Sequence, residues 1–229
     1  MPTINEIEGM RWSVPKIDRS LFKEIIVVDG GSDDGTVEYA RDQGLIVLHQ
    51  PGKGLTDAEE YAFSKTTADA VILFTPDGNS LPEVLPALCR KLREGYDMVI
   101  VSRYLGNARS DDDDAMTAVG NWVFTRIVNL LFRAHYTDVL VGLRGYTCDA
   151  VRRMRLPGIA NTPFRRWFLR MNSWETGSSI RAARLKLRVA EIPGDEPKRI
   201  GGVRKLSIVR NGLGVAAQIT SEFLFFRPE

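Results

Sequence analysis

Asp77 and Asn79 stand two residues apart in "TPDGN" (75–79), directly after the apolar run Val71–Phe74. A carboxylate and an amide carbonyl are hard oxygen donors, and Mg2+ or Mn2+ is often held by one or two such groups together with substrate phosphates. In extended chain an i, i+2 pair lies on one side. Asx-Gly is equally a turn signal, and taken alone the pentapeptide favours the turn. Two other stretches carry comparable chemistry. In "VVDGGSDDGT" (27–36) Asp29 can accept hydrogen bonds from a base or ribose edge, while Gly30 and its neighbour let a ligand approach the backbone. It has no GxGxxG and no Walker lysine spacing, so a plain strand–helix turn stays open. In "PGKGL" (51–55) Lys53 can reach a phosphate, although a lone loop lysine is usually just solvated. His49 and His135, the only histidines, fall in no such motif and read as structural.

Elements that deliver these residues can be read along the chain. Apolar strand-like runs at 24–29, 45–50, 69–75 and 96–104 alternate with helical patterns at 34–44, 56–67 and 81–95. Thr56 and Glu59 have the spacing of a capping box at the start of the second helix. Strands separated by helices predict an α/β fold, a mostly parallel sheet with helices on both faces. Ligands then bind outside the carboxyl ends of the strands, where Asp29, Asp77 and Ser102-Arg103 fall. Beyond residue 105 come an acidic loop (110–115) suited to a helix start, an apolar helix (115–132), helix then strand over 174–194, and an amphipathic tail at 212–226. The expected division is a domain over 1–206 and a C-terminal extension over 207–229.

Charge is unevenly spread over the 229 residues. Residues 1–151 hold 15 Lys and Arg against 23 Asp and Glu, whereas 152–210 hold 15 against 4. The basic segment suits a phosphate-bearing ligand or an anionic membrane surface, or is simply a solvated face. It lacks interleaved stacking aromatics, which argues against nucleic acid. Cys89 and Cys148 form no CxxC or zinc pattern, as expected of a reducing, cytoplasmic compartment. No signal peptide is expected, and the 115–132 run, broken by Asn121, Arg126 and Asn129, is not expected to span a membrane.

In order, "PTINE" (2–6), "VVDGGSDDGT", "GKG" (52–54), "TPDGN", "SRY" (102–104), "TDVLVGLRGY" (137–146), "AEIP" (190–193) and "RIGGVRKL" (199–206) resemble the family 2 glycosyltransferases of GT-A fold, a Rossmann-like architecture. The likeness is strongest to the branch making dolichol- or polyprenyl-phosphate mannose or glucose. It implies a hexosyltransferase taking a GDP- or UDP-sugar, with Pro2, Glu6, Asp29, Gly30 and Lys53 toward the nucleotide. Asp77 matches the last aspartate of the family's D-x-D, which binds metal, and Asn79 stands where the branch usually has a second metal-binding residue, Gln. Arg103, Arg199 and Lys205 match cations near the phosphates, and Glu175 resembles an acid near the acceptor. Thr75 replaces the first aspartate of the family's D-x-D. The family's first strand should precede "PTINE", so that strand is expected to be missing or truncated. The branch's common C-terminal transmembrane helices are expected to be absent.

The resemblance implies that metal and cations stabilise the departing diphosphate. A polyprenyl phosphate is already anionic near pH 7, so no general base is required; a hydroxyl acceptor would need one. The expected reaction lies on the inner face of a membrane, contacted peripherally through the apolar helix and basic segment. Two alternatives are a soluble acceptor, and a nucleotide-sugar-binding module without catalysis.

Overall fold

The computed structural model describes residues 1–159, 173–200 and 208–227. Strand β2 (Ile26–Asp29) lies between β1 (Pro2–Thr3) and β3 (Ile46–His49), parallel to both. The first strand is short: β1 has two residues, Pro2 opposite Val28 and Thr3 opposite Asp29. A second group runs β4 (Ala70–Leu73), β6 (Arg144–Thr147), β5 (Met98–Ser102), β7 (Val189–Pro193). β5 and β7 are parallel, but β6 enters antiparallel between β4 and β5. The α/β class holds, and the departure from a purely parallel order lies in β6, whose "LRGY" run gave no strand-length apolar signal. Between β2 and β4 lies a cavity of about 430 Å³, lined by Ile26, Val71, Leu73, Glu59 and Trp174 among others.

β5 shows why this sheet is covered on both faces. Met98 and Ile100 pack into a cluster with Val128, Trp174 and Ile180. Their alternate neighbours Val99 and Val101 pack with Leu85, Leu88 and Ile192. Period-two alternation thus sends successive apolar side chains to opposite helical layers. One layer includes α5 (Ala115–Phe132) and α7 (Trp174–Arg184), the other α4 (Leu85–Arg93). Helices α1 (Ile7–Ser13) and α2 (Thr36–Asp42) cover β2 through Met10, Val14, Val27 and Ala40.

Helix boundaries follow local chemistry. Asp114 caps α5 by accepting from the Thr117 amide at 2.7 Å, and Arg133, at φ 54°, ends it. The expected capping box at Thr56 is not formed. Helix α3 (Leu55–Lys65) starts one residue earlier, after Gly54, whose φ of +92° suits glycine, and Glu59 is buried instead. After β6 the chain forms α6 (Cys148–Arg153). Helix α8 (Ile208–Phe225) packs on α5 and α7; Gln218 exchanges hydrogen bonds with the Ser173 backbone, and Glu222 pairs with Arg181 at 2.7 Å.

Candidate active site

At the carboxyl end of β4 the chain does turn, and the turn is what assembles the corner. Gly78, at φ +88°, folds residues 76–79 back so that the Asn79 amide donates to Asp77 Oδ1 at 3.1 Å. The pair is thus gathered by a tight turn, not by the extended chain expected from its spacing. Segment 197–200 closes on it. Asn79 Nδ2 donates to the Pro197 carbonyl at 2.6 Å, the Ile200 amide donates to the Asp77 carbonyl at 2.8 Å, and Arg199 Nη1 lies 3.2 Å from Asp77 Oδ2. A Cβ at Gly78 would sit 2.7 Å from Ile200 Cγ1, so glycine is also needed for this approach.

Whether this corner fits a divalent metal can be judged from its own atoms. Because Asn79 Nδ2 is spent on Pro197, its Oδ1 is the free acceptor, and that oxygen is buried without a hydrogen-bond partner. An orphaned buried acceptor is uncommon in folded proteins, so it asks for a ligand. Beside it, burial pushes the Asp77 carboxyl above its usual pKa, with Arg199 opposing the shift. A cation at the pair would satisfy both. Among the described residues no group of three or more His, Cys, Asp or Glu could hold a metal. Two protein oxygens with phosphate completing the shell is the arrangement that fits. Arg199, 32% exposed, also faces Asp112 Oδ2 at 3.7 Å and sits where such a cation's charge would fall. Thr75, in the place of a carboxylate, bonds Ser80 at 3.0 Å.

Arg103 is held by carboxylates of the protein. Only 7% exposed, it donates through Nε and Nη2 to Asp138 at 2.7 and 3.1 Å and through Nη1 to Glu196 at 3.0 Å, with Asp113 at 3.5 Å. Burial works against its charge, but these carboxylates outweigh it and raise its pKa. Its fork is occupied by carboxylates of the protein. Arg103 instead ties the end of β5 to the acidic loop and to segment 195–197, which pairs with 109–111.

On the nucleotide side the outcome is divided. "PTINE" and "VVDGGSDDGT" are brought together: Asp33 donates to Asn5, and the Glu6 and Ile7 amides donate to Thr36 and Asp34. Pro2 lies in β1, Glu6 heads α1, and the Gly30 amide bonds the Thr3 carbonyl at 2.8 Å. Asp29 is 2% exposed and accepts from the amides of Gly31 and Ser32 and from the Ser32 hydroxyl. It holds its own loop together. Lys53 is exposed in the loop before α3 and has no bond to the Asp77 corner. Glu175 is buried in the first turn of α7, near the buried Glu59, and does not join that corner either. Lys205 lies outside the described residues.

Three functional supports escaped the sequence reading. Asp138, fully buried, accepts from Arg103, Asn121 and the amides of Leu140 and Val141. Arg144, also fully buried, binds the Val141 and Glu175 carbonyls and Ser179. Asp112 reaches Arg199. A charge inside "TDVLVGLRGY" was the available signal, since ionised residues in apolar surroundings must be paired.

The sequence profile of glycosyl transferase family 2 matches residues 1–174. Undecaprenyl-phosphate mannosyltransferase of Micrococcus luteus is 27% identical over 217 residues, 90% of this chain and 86% of that protein. Dolichol-phosphate mannosyltransferase of Pyrococcus furiosus is 31% identical over 134 residues, covering 55% of this chain. The chain spans 36% of that protein and about half, 51%, of the glycosyltransferase AglJ of Haloferax volcanii. Among solved structures, glucosyl-3-phosphoglycerate synthase of Mycobacterium tuberculosis, crystallised with Mn2+, UDP-glucose and phosphoglyceric acid, superposes with a TM-score of 0.62 at 20% identity. That match covers 97% of this chain and 77% of the other. A mycobacterial protein superposes with a TM-score of 0.70 at 18% identity, covering 96% and 72%. These structural likenesses speak for the fold.

Proposed function

The chain belongs to glycosyl transferase family 2, and from that premise we propose that it moves a hexose from a nucleoside-diphosphate sugar to a polyprenyl phosphate, with Mg2+ or Mn2+ held at Asp77 and Asn79. The observation that carries the reading is the buried, unpartnered Asn79 Oδ1 beside Asp77 at a strand end. Relatives named for undecaprenyl- and dolichol-phosphate mannosyl transfer support the acceptor. The Mn2+ and UDP-glucose in a neighbour's crystals support the metal and donor classes. Residues 1–206 act as the catalytic unit with 207–229 as its extension. The reaction runs at the inner face of a membrane, and the unpaired, buried Cys89 and Cys148 suit the reducing side.

In this mechanism a phosphate oxygen of the acceptor attacks the anomeric carbon, the bond from that carbon to the diphosphate oxygen breaks, and its electron pair leaves on the nucleoside diphosphate. The metal, when bound, supplies charge stabilisation to that leaving group. Asp77 and Asn79 orient it from the β4 turn. Arg199, released from Asp77, is the cation of this chain that can turn to the diphosphate, and Lys205 is proposed to act with it. A phosphate monoester is mostly ionised at pH 7, so no side chain need remove a proton. Arg103, Asp138 and Glu196 hold the loops that carry Arg199.

The test is transfer of radiolabel from GDP-mannose, UDP-glucose and related donors to undecaprenyl phosphate in detergent, read as label in the organic phase. Metal-dependent label there is expected with one donor. Label that moves only to a water-soluble acceptor, or none with any donor, overturns the proposal.

A further inference from the structure

The consecutive carboxylates at residues 111–114 do different work. Asp114 caps α5, and Asp113 pairs with Arg103 at 3.5 Å and accepts from the Tyr104 hydroxyl. Asp111 is exposed, and its amide donates to the Glu196 carbonyl at 2.8 Å. Asp112 is left with a single ion pair among the described residues: its Oδ2 lies 3.7 Å from Arg199 Nε. That separation is too long for a hydrogen bond. Arg199 Nε is buried and has no hydrogen-bond partner, although Nη1 of the same fork lies 3.2 Å from Asp77 Oδ2. One guanidinium thus stands between two carboxylates, engaged by one and just short of the other. The backbone around it is tied down. Ser110 bridges Glu196, the Glu196 amide donates to the Arg109 carbonyl at 2.8 Å, and the Arg109 amide donates to Asp195 Oδ1 at 2.8 Å. The Arg199 side chain, 32% exposed, is the part with room to turn.

We propose that Asp112 is a positioning residue: it receives Arg199 Nε when a divalent metal takes over Asp77, and holds the guanidinium with both Nη groups turned to the diphosphate. The inference rests on the metal–diphosphate reading of the corner. A dication at Asp77 and Asn79 takes the carboxylate that Arg199 now uses, and repels the guanidinium at close range. Closing the gap between Nε and Asp112 Oδ2 to an ordinary hydrogen bond requires about 0.8 Å. Held at Nε, the fork still offers its paired Nη donors, the arrangement that matches phosphate oxygens. Lysine, a single donor centre, could not serve a carboxylate and a phosphate in this way. Arg199 therefore acts in opposite senses at two stages. It competes with free metal for Asp77, and it favours the nucleotide once Asp112 has taken it.

The experiment is calorimetric titration of the full chain with Mn2+ alone, and with UDP or GDP at saturating Mn2+. The proteins are the wild type, Arg199→Met, Asp112→Asn and the double variant. Arg199→Met should bind Mn2+ alone roughly fivefold more tightly, since the rival for Asp77 is gone, yet bind the nucleotide more weakly. Asp112→Asn should weaken both, because Arg199 falls back on Asp77. In the Arg199→Met background, Asp112→Asn should change Mn2+ affinity by less than about twofold, as expected of one residue acting through another. Equal weakening of Mn2+ binding by Asp112→Asn in both backgrounds makes Asp112 a plain source of negative charge and overturns the proposal. So does Mn2+ binding that Asp112→Asn leaves unchanged, or that Arg199→Met weakens. Absence of Mn2+ and nucleotide binding in the wild type overturns the reading of the corner and this inference with it, whereas the preceding results leave that reading standing.

Discussion

Replacing Arg103 with methionine separates a phosphate ligand from a structural cation. The structure makes Arg103 the centre of a buried network, with Asp138 Oδ2 at 2.7 Å and Glu196 Oε2 at 3.0 Å. Methionine keeps much of the side-chain volume but leaves Asp138, at 0% exposure, with only amide donors for its charge. Removing one partner of a buried pair costs about 3–5 kcal/mol. With a urea m-value of about 3 kcal/mol/M for a chain this size, the unfolding midpoint should fall by roughly 1 to 1.7 M. The assay is urea denaturation followed by circular dichroism and by tryptophan fluorescence, so that coincidence of the two curves checks two-state behaviour. A phosphate ligand at the rim of a site would give the opposite pattern, a change within about 0.5 kcal/mol and a large loss of nucleotide affinity. A midpoint shift corresponding to less than about 1 kcal/mol would refute the network's structural role.

The remaining predictions concern the β4 corner. Burial raises the folded-state pKa of Asp77, so its protonated form adds stability that is complete below the ordinary carboxylate range and is lost as pH rises through the raised value. Asp77→Asn should flatten that part of the stability–pH curve, with apo stability at pH 7 equal to or above wild type in calorimetry. In the wild type, metal affinity should weaken as pH falls through the same window, measured by titration of Mn2+ with UDP present. Gly78→Ala forces a non-glycine residue to φ +88° and a methyl against Ile200, and should cost roughly 1–2 kcal/mol from the backbone alone. Because segment 197–200 must shift, its KM for the donor should rise. Asn79→Ala should leave the fold intact within about 1 kcal/mol yet lower metal affinity, checked by melting curves with and without Mn2+.

The strands and the long helices were legible because their signals are local. β5 is a run of apolar residues buried on both faces, and α5 ends within the limits its pattern set, Asp114 before it and Arg133 after. The corner was legible as a set of residues, since strand-end placement follows from alternation of strands and helices. Its mode of assembly was not. A positive φ at Gly78 and the closure by residues 197–200 depend on chain 120 residues away. The partners of Arg103 were hidden for the same reason: Asp138 and Glu196 reach this strand-end cation from distant segments. The donors to Asp29 include the amides of its own loop, which the spacing alone did not reveal.

The central claim is that Asp77 and Asn79, with Thr75 in place of a further carboxylate, hold a divalent metal on a nucleoside diphosphate. Electron paramagnetic resonance of Mn2+ tests it most directly, because bound metal is read as loss of the free-ion signal. Titrating the chain with Mn2+ in the presence of UDP or GDP should show one site per chain, lost in Asp77→Ala and weakened in Asn79→Ala. Equal binding by wild type and Asp77→Ala, or no binding by the wild type with either nucleotide, would contradict it.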